Sequence, residues 1–406
     1  MFPALRSPAY RRFWTGAFVS NVGSWMHQTA FGWLVYTLTC SAFWLGATTF
    51  VAMSPSLVLS LYGGVIADRT NRRRLLIGAQ AVLMASAVAL GVLTAAGVVT
   101  LGQILALSLV SGMAMAISTP VYQTVLHELV PRQHLMNAIS LNSLQFNLAR
   151  IVGPLGMGIV TPVIGIAGCF FLNGLTFLAM IAAVATLEIA AIGSSGSHSV
   201  WTDLRNGLRY AWRTPMIRTP LLLAGALSVF GFPYIILLPA FGRDVLHLDV
   251  EQYGYLVAAP GVGAVIGALA LATFGDVRRK GFLAAGAALA FSIALVAFAL
   301  STDLLLAQIF LVLAGMTMVG AVSTVNTLIQ LTAAAHVRGR VLSMLSFALF
   351  GLSPIGSIHV GTWAYYVGTP AALAGGGVVC FLITACLLAF APELRQPIAA
   401  PAPEAA

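Results

Sequence analysis

Long apolar runs, broken by short clusters of charge, glycine and proline, set the pattern of this chain. A helix that is apolar on every face belongs in lipid or in a deep core, and about 20 such residues cross the hydrocarbon of a bilayer. Twelve runs can be delimited, at about 13–38, 44–67, 75–95, 101–126, 138–163, 167–190, 217–242, 252–274, 282–301, 304–331, 341–366 and 370–391. An even number of spans returns the chain to the side it started from. The longest polar interval divides the spans six and six. It opens with Gly193-Ser194-Ser195-Gly196-Ser197, a flexible linker. It then places Trp201, Leu204, Leu208 and Trp212 on one face of an expected amphipathic helix lying on the membrane surface. The predicted fold class is therefore all-α and integral to the membrane. Its parts are a six-helix bundle over 1–190, a linker over 191–216, a second six-helix bundle over 217–391 and a disordered tail over 392–406.

Composition agrees: 59% of residues are hydrophobic and 8% charged, and mean hydropathy is +0.95, whereas soluble domains carry roughly 25% charged residues. The positions of the 20 Lys and Arg add an orientation. All but two fall on the side that holds both termini; Arg243 falls opposite and Arg150 lies inside a span. Positive charge stays cytoplasmic, so both ends are expected there, in a bacterial cytoplasmic membrane. Basic charge split among separate short segments does not suit nucleic acid. The first span follows Arg6, Arg11 and Arg12 and is too long for a signal peptide, so it is expected to be retained. The four cysteines show no metal spacing and read as small apolar fillers, so neither a metal nor a cofactor is expected. No Ser-His-Asp spacing, zinc-protease motif or phosphate-binding loop appears, which argues against an enzyme and against direct use of ATP.

Between spans two and three the run Gly63-Gly64-Val65-Ile66-Ala67-Asp68-Arg69-Thr70-Asn71-Arg72-Arg73-Arg74 puts a carboxylate and four arginines into a very short loop. Span eight ends similarly, in Gly275-Asp276-Val277-Arg278-Arg279-Lys280, and Gly153-Pro154-Leu155-Gly156 of span five is echoed by Ser353-Pro354-Ile355-Gly356 of span eleven. These matches at equivalent spans point to a duplicated six-helix unit, as in parallel-repeat transporters.

The segment from Gly64 through Asp68, Arg69, Arg72 and Arg73 resembles the signature loop of the major facilitator superfamily. Asn71 stands where the family usually has Gly, and Asn tolerates a left-handed backbone. The stretch Gly23 to Tyr36, and Asn147-x-x-Arg150-Ile151-Val152-Gly153-Pro154, resemble the branch that includes the enterobactin exporter and macrolide efflux proteins. The resemblance implies alternating-access export of an amphipathic small molecule driven by an ion gradient, usually of protons. It also implies that the loop acid is a conformational latch. Asp68 would then accept hydrogen bonds at the start of span eleven, near Arg340 and Val341, while the loop arginines pair with Glu128 at the end of span four.

Arg150 lies near mid-membrane. It is either a structural partner of helix carbonyls, Asn142 or Asn147, or a cavity-facing cation for an anionic substrate. Ser143, Asn147, Arg150 and Pro154 share one helical face, as do Asn21, Trp25, Gln28 and Gly32 on span one. Both stripes are expected to face the interior, with Asn142 also counted among the substrate-cavity residues of the first half and Phe230, Tyr234, Asn326, Gln330 and Ser353 as lining groups in the second half. The deep titratable groups are His27 and His359. These two, Arg150 and Glu251 are the candidates for proton coupling. Uptake of a nutrient, movement of a lysophospholipid, or a receptor or scaffold that keeps the fold without transporting are the competing readings. The expected partners are the bilayer, a small-molecule substrate and a coupling ion, and the protein is expected to be monomeric.

Overall fold

The computed structural model describes residues 3–69, 71–187, 209–274, 277, 279–334 and 337–396, and at 58–69 the backbone alone. The side chains of Asp68 and Arg69, most of the linker, the Gly275–Asp276 motif with Arg278, and the tail from 397 onward lie outside what is described, and of Gly64 only the backbone course is given.

Helices run back and forth in sequence order. The first four are α1 (Pro8–Thr39), α2 (Ala42–Arg69), α3 (Arg72–Ala95) and α4 (Leu101–Glu128). Leu135–Ala185 is one helical stretch turned at Ile164 and Gly165; Gly165 has φ 71°, a conformation only glycine adopts without strain. Its limbs, 135–163 and 166–185, are α5 and α6. Then come α7 (Pro215–Ala226), α8 (Tyr234–Asp244), α9 (Val250–Phe274), α10 (Lys280–Ala299), α11 (Leu304–Thr332), α12 (Arg338–Ser346), α13 (Ser353–Val367) and α14 (Thr369–Phe390). Among the described residues nine helical stretches are long and apolar enough to cross a membrane, and Arg132–Ala185, at 54 residues, is the longest of them. Helices α1 and α2 stand beside these with 32 and 28 residues.

Caps fix the ends. Ser7 accepts from Tyr10 N at 3.3 Å, Thr100 and Gln103 form a reciprocal capping box, and Asp303 accepts from Leu306 N at 3.0 Å. Asn71 departs from the sequence expectation. It has φ −65°, ψ 108°, and its side chain accepts from Arg74 N at 3.1 Å. It caps α3 and needs no left-handed backbone.

Two spans are interrupted in the same way. Leu227–Gly231 and Phe347–Gly351 are π-helical, closing on the bonds Phe232 N to Leu227 O (2.7 Å) and Leu352 N to Phe347 O (3.1 Å). Each lies just ahead of a proline, Pro233 or Pro354. A proline has no N–H to give and its ring crowds the carbonyl four residues back, so the helix admits an extra residue. Span seven is thus α7 plus α8, and span eleven is α12 plus α13.

Glycine sets the packing. Helices α1 to α6 pack on one another and α7 to α14 on one another, through contacts a side chain would block. A Cβ on Gly112 would lie 2.0 Å from Ala52 O, and one on Gly263 1.9 Å from Val312 O. Small residues let backbones approach in lipid, where no hydrophobic force drives helices together. The two groups meet along the seams α2–α13 and α5–α9, with α1 against α8 and α9. The glycines of these contacts among the described residues are Gly32, Gly46, Gly158, Gly254, Gly261 and Gly361. They all lie in the half of the bundle remote from the chain termini, the far end.

Candidate functional site

Arg150 sits on α5 at the inner limit of the α5–α9 seam; its carbonyl would lie 3.3 Å from a Cβ on Gly261. Below that roof the halves enclose a cavity of about 120 Å³ lined by Arg150, Phe232, Tyr234, Met318, Val322 and Ser323, among others. The π-turn ahead of Pro233 brings Phe232 and Tyr234 to this wall. The guanidinium carbon of Arg150 lies 5.7 Å from the centre of the Trp25 ring, and Phe146 meets that ring edge-on at 5.6 Å. Tyr234 is the other polar neighbour of the guanidinium.

Among the described residues no carboxylate lies within 4 Å of Arg150, whereas Arg72 is ion-paired with Glu128. The structural partners considered from sequence are committed elsewhere. The Asn147 amide donates to Ser143 O at 2.8 Å. Asn142 Oδ1 accepts from the Tyr122 hydroxyl at 2.7 Å and from Gln145 Nε2 at 2.8 Å, so it belongs to a triad between α4 and α5. A half-buried guanidinium beside the Trp25 ring and Tyr234 gains roughly 0.5–2 kcal/mol from the ring face and has five N–H donors, enough to leave some for an incoming anion.

A polar stripe continues from the cavity toward the termini. On α11, Ser323, Asn326 and Gln330 follow helical spacing, and Gln330 Nε2 donates to Asn326 Oδ1 at 3.2 Å. On α5, Ser143 and Asn147 do the same, and Ser143, like Gln330, is exposed. Exposed amides and hydroxyls at these depths suit a wet vestibule better than acyl chains. Of the remaining α1 candidates, Asn21 and Trp25 are half-buried and Gln28 is exposed. Sequence reasoning missed the α11 wall of Met318, Val322 and Ser323, although the spacing of Ser323 with Asn326 and Gln330 was a usable signal.

Of the coupling candidates Arg150 alone lines this cavity; the others lie elsewhere. His27 packs between Phe31 and Phe170, at 6.1 Å and 4.8 Å, with Nδ1 buried and unpartnered among the described residues. His359 packs between Phe230 and Trp363, at 5.4 Å and 5.0 Å, with Nε2 in the same condition. Phe230 therefore faces His359. Glu251 is exposed at the far end and accepts from the Tyr255 hydroxyl at 2.7 Å.

At the near end Arg72 is buried and ion-paired to Glu128, tying α3 to α4, and Arg73 donates to Ala185 O of α6. These bonds brace the first half internally. Arg340 is exposed at the start of α12 and engages a neighbour. Ser353 donates to the Met53 sulfur at 3.3 Å across the α2–α13 seam.

The fold is shared with solved transporters at low identity. The nucleoside transporter NupG superposes with a TM-score of 0.72 at 11% identity, covering 94% of this chain and 98% of that one. A D-xylose–proton symporter gives 0.72 at 13%, covering 95% and 98%. Sequence similarity reaches other proteins. The chain is 24% identical to the multidrug efflux pump Tap of Mycolicibacterium fortuitum, over 94% of this chain and 95% of that protein. It is 24% identical to the enterobactin exporter EntS of Escherichia coli, over 96% and 93%. It is 23% identical to the staphyloferrin A transporter of Staphylococcus aureus, over 64% and 66%. The profile described as transmembrane secretion effector matches residues 1–401, and the chain belongs to that family, within the major facilitator superfamily of transporters.

Proposed function

We propose that this protein exports an anionic, amphipathic small molecule across the bacterial cytoplasmic membrane by alternating access. The observation that carries this reading is Arg150, a cation at mid-depth that faces Trp25 and Tyr234 with no carboxylate beside it among the described residues. In a low-dielectric cavity such a charge attracts anions strongly and rejects cations. The relatives, an enterobactin exporter, a staphyloferrin A transporter and a multidrug efflux pump, support export of a small amphipath. The cavity is smaller than the roughly 300–1,000 Å³ typical of ligand pockets. The substrate would therefore extend down the polar stripe of α5 and α11.

The proposal includes twelve spans in two six-helix halves, over 1–190 and 217–391, with both termini cytoplasmic. The counting rests on the lengths of α1 and α2 and the turn between α5 and α6; the orientation rests on the distribution of Lys and Arg. With that orientation, the far end is the external end, and this conformation is closed there. Asp68 serves as the internal latch, on the strength of the signature loop alone. Proton antiport is the proposed driving force, with His27 as its first candidate because His27 is the deeper of the two imidazoles. If His27→Ala leaves ΔpH-driven efflux intact, that assignment falls.

The deciding experiment uses inside-out vesicles and two aromatic dyes of equal size, one anionic and one cationic. The expected result is uptake of the anionic dye, lost in Arg150→Gln and partly kept in Arg150→Lys. Preferential uptake of the cation, or an unchanged Arg150→Gln, would overturn the reading.

A further inference from the structure

Apart from the Arg150–Tyr234 contact at the cavity, two side-chain hydrogen bonds between described residues cross from one half to the other. One is the weak Ser353–Met53 contact. The other joins Tyr36, on the last turn of α1, to Asp244, the last residue of α8: the phenol donates to Asp244 Oδ2, linking residues 208 apart in sequence. Tyr36 is buried at 6% exposure. The helices around the bond are in close contact. A Cβ on Gly32 would touch the Pro239 ring at 3.0 Å, and the Trp33 and Tyr253 rings lie 4.8 Å apart.

Arg243, next in sequence to Asp244, is half-buried with Nη1 buried and unpartnered among the described residues. It is also the one Lys or Arg that the span pattern leaves on the external side. A cation kept against that trend is next in sequence to the carboxylate of the crossing bond. A phenol donating to a carboxylate is charge-assisted and directional. The glycine seams on either side offer only dispersion, which weakens gradually as helices part.

We propose that Tyr36 and Asp244 form the external gate of the transport cycle. They make the bond that must break before the cavity opens to the outside. This assignment rests on the alternating-access reading but not on the identity or charge of the substrate. The gate is separate from the signature loop, which lies at the opposite end of α2.

The test measures how often the gate opens. Ser357 is fully buried in the α2–α13 seam, with its backbone oxygen against Gly46. A Ser357→Cys substitution, in a background carrying Cys40→Ser and Cys386→Ser to remove the exposed thiols, is labelled by a membrane-impermeant maleimide only while the seam is parted. Native Cys169 and Cys380 are buried within the first and second halves. Their labelling reports unfolding.

Loss of one charge-assisted bond predicts about a tenfold faster labelling at position 357 in Tyr36→Phe. Asp244→Asn, which keeps an acceptor without the charge, should fall between Tyr36→Phe and the parent. Labelling of Cys169 and Cys380 stays unchanged in both. Tyr255→Phe is the control, because it removes the Tyr255–Glu251 bond within α9 alone, and it should leave the rate at 357 unaltered. Unchanged labelling in both Tyr36→Phe and Asp244→Asn overturns the gate, whatever the substrate proves to be. So does an equal rise at 357, Cys169 and Cys380, which would mean the bond only holds the fold together.

Discussion

Replacing Gly46 by alanine should push the protein out of the conformation described here. In the α2–α13 seam a Cβ at this position would lie 2.3 Å from Ser357 O, 3.0 Å from Gly361 Cα and 3.2 Å from Ser357 C. Ordinary contact begins at 3.4 Å, so α2 and α13 must part by about 1 Å at this level, and helix backbones yield less easily than flexible side chains. Overpacking of this kind costs about 1–3 kcal/mol, and here the strain is present only while the external end is closed. That energy therefore appears as a shift of about 5- to 150-fold toward the externally open state. Spin labels at Thr39→Cys and His247→Cys, on α1 and the α8–α9 turn, read the external separation by pulsed electron resonance. The expected result is a new longer-distance population in Gly46→Ala. Gly286→Ala, whose Cβ would meet nothing within 4 Å, should match the parent. A single unchanged distance in Gly46→Ala, with the melting temperature preserved, would refute the idea that the seam opens during the cycle.

Other consequences are more local. Glu128→Gln removes one partner of Arg72, whose side chain is 9% exposed against 27% for Glu128. With the carboxylate partly solvated, the loss should be about 1–3 kcal/mol, read as a lower melting temperature in detergent. Asn71→Ala deletes the α3 cap and should cost about 1 kcal/mol by the same measurement; a larger loss would assign Asn71 a further role. Asp68→Asn should slow turnover in proteoliposomes without weakening substrate binding, and unchanged turnover would remove the latch. Arg150→Gln should weaken binding of an anionic aromatic probe by tenfold or more, with the melting temperature retained.

Much of the architecture was legible because lipid imposes a simple rule: a span must be apolar for its whole length. The helix ends of α3 at Ala95 and α4 at Leu101 coincide with the edges of the apolar runs. Arg150 was legible for the same reason, being a charge where none is expected. What could not be read depends on pairing. Asn142 looked like a lining group from its own helix, yet Tyr122 and Gln145 claim its oxygen. Phe230 was placed in the cavity, and the π-turn turns Phe232 and Tyr234 there while Phe230 meets His359. The Tyr36–Asp244 bond has no local signature, since it exists only when α1 and α8 are brought together.

The account stands on reciprocal motion of the two halves about the Arg150 cavity. Distances at both ends of the same molecule test it most directly, with Gln133→Cys and Gly339→Cys labelled at the near end and Thr39→Cys and His247→Cys at the far end. The account predicts that any variant that lengthens the far distance, Gly46→Ala first, shortens the near one. Independent changes at the two ends, or far-end lengthening with the near distance fixed, would contradict it.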